Sequence, residues 1–461
     1  MADGKEHPEP NLIVRFARRV RRGWRRLKRR WTTPKVRFVY HDAYAHIIDS
    51  APMDPTRGQK ILGFLVDEGL LDRDDLSVPR KPPVRSLLRV HDPEYIDSIG
   101  HDPEVTEKIF GEEIGEADIE QMVAMQRLGV AGTIQATRLA LQGRSVAINL
   151  GGGFHQAARD QGMGFCIFND IAVAVARLRA KGFKEPILVV DLDLHDGNGT
   201  REIFANDSTV HTYSVHNEHW GATEGKATTA IALGEDVGDE VYLGTLLKTL
   251  PDVMMQVKPG LVIYVAGTDP AADDKLGNWN ISADGMLRRD GLVVELLRRS
   301  RRRIPLVIVL AGGYGSASWR YSARFFSWLI SGKVAKTPDN AEMILRKFRK
   351  IRHSLSPSDL TAEPSGFSWQ LSEEDLVGIV PDAPRRTRFL SHFSQHGVEL
   401  LLERLGILDQ LRLRGFRHPT VDVDLTSSVG DLVRVWSHPD RREMLLELRA
   451  NRNARVVDGC E

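Results

Sequence analysis

Residues 187–200, ILVVDLDLHDGNGT, place four apolar residues directly before a dense group of polar side chains. The run ILVV has the β-branched composition of a strand that is buried on both faces of a sheet. Four titratable residues follow it: Asp191, Asp193, His195 and Asp196. Charged groups are expensive to bury unless they are paired or bind a metal ion. The stretch therefore predicts a buried strand that ends at a functional site.

Other apolar, β-branched runs occur along the chain: VRFVY (36–40), VAINL (146–150), VHTYSV (210–215), LVIYVAG (261–267) and PLVIVLAGG (305–313). Stretches long enough for crossover helices separate them, such as 169–182 and 290–303. Continuous apolar strands that alternate with helices indicate an α/β fold with a parallel sheet covered on both faces.

Polar residues stand at the end of four of these predicted strands. GGGFHQ (151–156) follows one strand, DLDLHDGNG (191–199) follows another, and Asp269 and Tyr314 end two more. In open parallel sheets, ligands bind outside the carboxyl ends of the strands. We therefore expect these four segments to form one site.

Asp193, His195 and Asp269 are the predicted metal ligands. Asp193 and His195 lie two residues apart, so they point to the same side of an extended segment. Two carboxylates and one imidazole leave a fourth position open, as in catalytic zinc sites. Fe(II) and Mn(II) accept the same ligands. The alternative is a solvated acidic loop, which the flanking apolar runs and glycines disfavour.

The composition is that of a globular protein with a large core, with 42% hydrophobic and 27% charged residues in 461. No apolar run approaches the roughly 20 residues of a membrane span, and no signal peptide is visible. The two cysteines, Cys166 and Cys460, do not suggest a disulfide framework. We expect a cytoplasmic location, either free or peripheral at a membrane surface.

The N-terminal segment, residues 1–35, is strongly basic. Residues 11–35 contain eleven Arg and Lys residues and no acid. Phe16, Val20, Trp24, Leu27 and Trp31 recur at helical spacing, which predicts a basic amphipathic helix over 12–31. Such a helix can bind an anionic membrane or nucleic acid, or it can dock on its own domain with a solvated basic face.

The quoted segments resemble the signatures of a known family. GGGFHQAARDQGMGFCIFND, VVDLDLHDGNGT, AGTD and LAGGY resemble four segments of the zinc-dependent histone deacetylase family. That family also includes acetylpolyamine amidohydrolases and acetoin-utilisation proteins. DPTRGQKI (54–61) and LLRVHDPEYI (87–96) resemble its N-terminal signatures, and AGTIQATRLAL is similar to its class IV branch. The resemblance spans about residues 36–333 and implies an arginase/deacetylase-like parallel sheet flanked by helices.

Beyond residue 333 the resemblance ends. Residues 334–461 contain a predicted helix (389–416) and predicted strands at 420–425, 431–437 and 443–453. We expect a small C-terminal α+β extension whose function the sequence does not indicate.

The resemblance assigns roles to individual residues. It implies that Asp193, His195 and Asp269 bind Zn²⁺ and that Tyr314 donates a hydrogen bond to the developing oxyanion. His155 is similar to the first histidine of the family's tandem pair, and Asp191 to its carboxylate partner. For the substrate, it implies that Gly164, Phe165 and Trp220 contact the acyl-lysine. It also implies a structural K⁺ site at Asp191, Asp193, His195, Ser214 and Val215.

One position departs from the family pattern. Gln156 stands where the family has its second tandem histidine, which is the proton carrier in relatives. An amide does not take up a proton near neutral pH, and acid–base assistance is worth about 10²–10⁴-fold in rate.

The sequence is therefore compatible with two functions. The first is a zinc-dependent deacylase that hydrolyses an N-acyl amide of lysine or a polyamine through a zinc-activated water. The second is a catalytically weakened relative that binds acylated ligands or acts as a scaffold.

Overall fold

The computed structural model describes residues 36–45, 53–80, 82, 84–99, 102–111, 116–143, 145–300 and 302–355, together with four strands between residues 419 and 457. The described residues form two compact units. The first unit contains the residues up to 82 and from 99 to 355, and the second contains residues 84–98 and the four C-terminal strands.

The first unit is built on an eight-stranded sheet in which every pair is parallel. Its strand order is β2-β1-β3-β8-β7-β4-β5-β6. The strands are β1 (Val36–Val39), β2 (Leu76–Ser77), β3 (Val146–Asn149), β4 (Ile187–Asp191), β5 (Val210–His216), β6 (Thr228–Ala232), β7 (Leu261–Val265) and β8 (Leu306–Val309). The predicted parallel α/β fold is confirmed.

The helices are α1 (Arg57–Asp67), α2 (Val84–Leu87), α3 (Pro93–Ser98), α4 (Pro103–Phe110), α5 (Glu116–Gly143), α6 (Asp170–Ala180), α7 (Asn198–Phe204), α8 (Asp239–Val257), α9 (Ala283–Arg299), α10 (Ser318–Ser331) and α11 (Ala341–Leu355). In the first unit, α5 packs on β1, β3 and β8, whereas α8 packs on β4 and β5. Helices α10 and α11 both pack on α1. The helix predicted over 290–303 begins earlier, because Ser282 caps α9 and accepts a hydrogen bond from Gly285 N.

The centre of the sheet is completely buried. Every residue of β4, β7 and β8 is buried, as expected for strands covered by helices on both faces. Burial of each large apolar side chain contributes about 1.5–3 kcal/mol. The two strands that the sequence did not predict lie at the edges: β2 has two residues, and β6 (TTAIA) is half-exposed. Edge strands lack the continuous apolar run on which the prediction depends.

The C-terminal strands of the second unit are β9 (Pro419–Asp424), β10 (Asp431–Ser437), β11 (Glu443–Leu448) and β12 (Arg455–Val457). They form an antiparallel sheet in the order β12-β11-β10-β9. The strand predicted over 443–453 ends at residue 448, and β12 follows separately. The helices predicted over 12–31 and 389–416 lie outside the described residues and stay predictions. None of the described helices is long and apolar enough to cross a membrane.

Candidate active site and metal centre

The carboxyl ends of four adjacent strands, β3, β8, β7 and β4, carry the predicted site residues. His155 and Gln156 follow β3, and Tyr314 follows β8. Asp269 follows β7, while Asp193 and His195 follow β4. Since these strands are neighbours and parallel, their ends meet at the same edge of the sheet.

Asp193, His195 and Asp269 come together as a candidate metal centre. One possible ligand atom from each residue lies within 4.8 Å of the others. His195 Nδ1 is 2.9 Å from Asp269 Oδ2 and 3.3 Å from Asp193 Oδ1. Both carboxylates are buried and are oriented by backbone N–H groups, with Leu194 N donating to Asp269 and Gly312 N to Asp193. This donor set fits a divalent cation with an open coordination position.

Two glycines make this close approach of the carboxylates sterically feasible. A Cβ on Gly267 would lie 2.1 Å from Asp193 Oδ2, and a Cβ on Gly312 would lie 2.2 Å from Asp269 Oδ2. Neither distance is compatible with a side chain. The glycines after β7 and β8 are therefore part of the metal centre's geometry.

His155 is oriented toward this centre by Asp191. Its Nδ1 is 2.7 Å from Asp191 Oδ2, and its Nε2 is 3.6 Å from Asp193 Oδ1. Burial disfavours the charged imidazole, but the carboxylates of Asp191 and Asp193 outweigh burial and raise the pKa of His155 to about 9. His155 Nε2 is thus the ring nitrogen that faces the metal centre.

The carboxylates also control the protonation of His195. Burial lowers its pKa, but hydrogen bonds to Asp193 and Asp269 outweigh this effect and raise the pKa to about 11. Burial and the nearby charge of Asp193 raise the pKa of Asp269 to about 7. The three side chains of the candidate metal centre therefore hold a proton that a bound cation would displace.

Gln156 is buried beside His155, and it is 4% exposed. Its Oε1 has no hydrogen-bond partner among the described residues. A Cβ on Gly164 would lie 1.5 Å from that oxygen, and Gly164 has φ +55°, so only glycine fits next to Gln156. The amide thus lies beside His155 but supplies no group that exchanges a proton.

Tyr314 lies beside His195 of the candidate metal centre. The centroids of its ring and the His195 ring are 6.2 Å apart in an edge-on arrangement. Burial raises the pKa of its phenol well above the ordinary value. Tyr314 is therefore a protonated hydrogen-bond donor at neutral pH.

A cavity of about 300 Å³ borders on His155, Gln156 and Tyr314, whereas Asp193, His195 and Asp269 do not line it. His155, Gln156, Gly164, Phe165 and Tyr314 all line it. Its remaining wall is mostly apolar and includes Met122, Met125, Leu150, Phe154 and Cys166. The volume and the few polar groups are typical of a small-molecule or side-chain binding site.

Trp220, the third predicted substrate contact, is not among the residues that line this cavity. Trp220 is 38% exposed, and its ring lies 5.4 Å from the His195 ring, centroid to centroid. The residues predicted to hold K⁺ are near one another, since Ser214 pairs with Asp191 in the register of β4 and β5, and Val215 follows. Both the Trp220 contact and the K⁺ site stay predictions.

Asp196 points to a different set of partners. It forms a two-point ion pair with Arg201, at 2.5 and 2.6 Å, and accepts a hydrogen bond from Trp220 N. Asp196, which follows His195 in the sequence, therefore fixes the loop that carries Trp220 rather than joining the candidate metal centre.

The sequence did not indicate several buried charged residues that hold the loops of the candidate site. Arg57 donates to the carbonyls of Ala311 and Gly312, and Arg289 donates to those of Leu192 and Gly267. For Arg289 a signal existed, because it falls on the apolar face of α9 between the buried Met286 and Val293. A third such group is the carboxylate of Asp170, which accepts from Gly153 N and Phe154 N, ahead of His155.

Comparisons with known proteins identify relatives of this chain. Residues 51–328 match the family model described as "Histone deacetylase domain". An uncharacterized protein of Picosynechococcus sp. is 34% identical over 60% of this chain and 91% of its own length. Histone deacetylase 2 of Arabidopsis thaliana is 32% identical over 63% of this chain and 77% of its own length. The crystal structure of a histone deacetylase homologue from Aquifex aeolicus is 27% identical, with a TM-score of 0.57, over 68% of this chain and 88% of that one.

Proposed function

The chain belongs to the histone deacetylase family, and we propose that it is a zinc-dependent deacylase that hydrolyses an N-acyl amide of lysine or of a polyamine. The observation that carries this proposal is the position of three groups beside one another at the same edge of the sheet. The imidazole of His155 and the phenol of Tyr314 line the cavity. Both lie next to the trio of Asp193, His195 and Asp269, with His155 Nε2 3.6 Å from Asp193 Oδ1 and the Tyr314 ring centroid 6.2 Å from that of His195. Together they provide a metal centre, a base and an oxyanion donor.

Asp193, His195 and Asp269 would hold the zinc ion, which would polarise the acyl carbonyl and make a water molecule more acidic. His155 Nε2 faces this centre and would take the proton of the attacking water. The positive charge of a bound cation favours neutral imidazole and so lowers the pKa of His155 toward neutrality. Asp191 would stabilise the imidazolium through its 2.7 Å contact with Nδ1.

Tyr314 would donate its phenolic proton in a hydrogen bond to the acyl oxygen as that oxygen gains charge. We expect Tyr314→Phe to lower kcat by about 10²-fold or more, since the loss of one oxyanion donor typically costs this much. Zinc content should not change, because the phenol is not among the proposed ligands.

Tyr321→Phe is the matched control for this substitution. Its phenol donates to Asp273 and does not line the cavity, so kcat should stay near the wild-type value. Equal losses of kcat in Tyr314→Phe and Tyr321→Phe, measured on zinc-loaded protein, would remove Tyr314 from the oxyanion role.

Zinc affinity should rise with pH. Zinc binds the neutral imidazole of His195, whose pKa is raised to about 11, so a proton must leave on binding. Below that pKa, each released proton makes the affinity about tenfold tighter per pH unit. Chelator competition at several pH values, corrected for protonation of the chelator, measures the slope. An affinity that is independent of pH would contradict the protonated state of this centre.

Gln156 supports a second candidate function. It is a buried amide next to His155, so the cavity wall lacks a second proton carrier at this position. With its acid–base catalysis weakened in this way, the protein would bind zinc and acylated ligands without turnover.

Turnover on a panel of acyl-lysine peptides and acetylpolyamines, with and without added zinc, tests the proposal. Hydrolysis of at least one N-acyl amide, dependent on zinc and lost after Tyr314→Phe, would support the deacylase. The same rates in chelator-treated and zinc-loaded protein would refute a zinc-dependent activity.

A further inference from the structure

One carboxylate outside the metal centre connects the loop of Asp269 with the loop of Tyr314. Asp274 accepts four backbone hydrogen bonds, two on each oxygen. Its Oδ2 accepts from Tyr314 N at 2.7 Å and from Gly315 N at 3.0 Å. Its Oδ1 accepts from Leu276 N at 3.0 Å and from Gly277 N at 3.1 Å. A single side chain thus fixes the backbone of the oxyanion donor.

The part of the chain that contains Asp274 is itself fixed close to a proposed metal ligand. A Cβ on Gly277 would lie 2.2 Å from the backbone oxygen of Asp269, so the two segments touch directly. On the other side, a Cβ on Gly315 would lie 2.8 Å from the backbone oxygen of Asp273. Asp274 therefore lies where the two loops are in contact, and its carboxylate joins them.

The residues before Tyr314 show why the hydrogen bonds to Asp274 are important for the position of Tyr314. Gly312 is held by Arg57 and donates to Asp193, and Gly313 has φ +135°, a conformation that only glycine adopts readily. The chain thus turns through a flexible residue immediately before Tyr314. The hydrogen bonds that Tyr314 N and Gly315 N donate to Asp274 then fix the direction of the backbone after this turn.

We propose that Asp274 is a positioning residue that sets the location of the Tyr314 phenol relative to the metal centre. This proposal rests on the deacylase function proposed above, because that function is the reason why the position of Tyr314 matters. A displacement of about 1 Å in a catalytic group costs up to 10²-fold in rate, so a carboxylate that never touches the substrate can still control turnover. Because Asp274 acts through Tyr314, its removal cannot cost more than removal of the phenol itself.

A double-mutant cycle tests this dependence. Asp274→Ala, Tyr314→Phe and the double variant are compared with wild type as zinc-loaded, full-length protein. We expect Asp274→Ala to lower kcat by about 10- to 10²-fold in the wild-type background and by less than about twofold in the Tyr314→Phe background. Zinc content should stay at the wild-type level in all four proteins. Equal losses of kcat in both backgrounds, or loss of zinc from Asp274→Ala, would overturn the proposal.

Asp273→Asn is the matched control, because Asp273 is an adjacent, exposed acid that accepts from Tyr321 rather than from the Tyr314 backbone. It should keep wild-type kcat, and a loss equal to that of Asp274→Ala would contradict the assignment. Asp274→Asn replaces the alanine variant if that variant does not fold, because it keeps the shape and removes one acceptor oxygen. We expect the same direction of change.

The same cycle can be measured without turnover, as the affinity for a zinc-chelating hydroxamate whose carbonyl accepts the Tyr314 hydrogen bond. Asp274→Ala should weaken hydroxamate binding by about fivefold in the wild-type background and leave it unchanged in the Tyr314→Phe background. If no substrate is hydrolysed, the proposed function fails while this affinity cycle still decides the role of Asp274. Additive losses of affinity would overturn that role.

Discussion

Asp269→Ala is expected to yield protein that contains almost no zinc and hydrolyses no substrate. Asp269 is completely buried, and its Oδ2 lies 2.9 Å from His195 Nδ1. The substitution leaves two proposed ligands, Asp193 and His195, which is one fewer than catalytic zinc sites normally use. Loss of a group that only supports a ligand already costs about 10–100-fold in metal affinity, so loss of a ligand should cost more.

Metal analysis of protein purified without chelator measures this effect, with about one zinc per chain expected in the wild type. Asp273→Ala serves as the control, because it removes an exposed acid from the same loop and should keep its zinc. Thermal unfolding of both variants shows whether the fold persists. Full zinc occupancy in a folded Asp269→Ala protein would exclude Asp269 from the ligand set.

Substitutions of the adjacent residues His155 and Gln156 should also change kcat strongly. We expect His155→Ala to abolish turnover, because acid–base assistance is worth about 10²–10⁴-fold and the imidazole facing the metal centre is removed. Gln156→His should raise kcat, since it places a second proton carrier in the cavity wall. The gain should lie near the lower end of the 10²–10⁴-fold range, because no described residue bonds to Gln156 Oε1 and could orient a new ring there.

His219→Ala is the control for the histidine substitution. His219 is exposed, its Nδ1 lies 2.8 Å from His216 Nε2, and it does not line the cavity, so kcat should be unchanged. Single-turnover kinetics with zinc-loaded protein separate the chemical step from product release. If His155→Ala keeps the wild-type rate, His155 is not the base. If Gln156→His leaves kcat unchanged, proton transfer does not limit the reaction.

Much of the candidate site at the carboxyl edge of the sheet could be predicted, because each strand and the polar residues after it are neighbours in the sequence. Each apolar run ends directly at its polar residues, as in ILVV before Asp191 and LVIYVAG before Asp269. The parallel arrangement of these strands then brings their ends together without further information. The family resemblance supplied roles that the spacing alone left open, such as those of Tyr314 and His155.

The supporting contacts could not be predicted, because they join residues that are far apart in the chain. Arg57 bonds to Gly312, 255 residues away, and Asp274 bonds to Tyr314, 40 residues away. A sequence pattern shows which face of a helix is buried, but not which carbonyl a buried guanidinium contacts. The orientation of Trp220 depends in the same way on the ion pair between Asp196 and Arg201, which no motif indicated.

We propose that the chain hydrolyses an N-acyl amide although Gln156 stands at the position of a proton carrier. The most direct measurement is single-turnover hydrolysis of an acetyl-lysine peptide and of an acetylpolyamine by zinc-loaded wild-type protein whose site is shown intact by hydroxamate binding. We predict slow but measurable hydrolysis of at least one substrate, abolished by His155→Ala and by removal of zinc. If zinc-loaded protein binds the hydroxamate but hydrolyses neither substrate, the deacylase function is contradicted. The remaining function is then that of a catalytically weakened protein that binds acylated ligands.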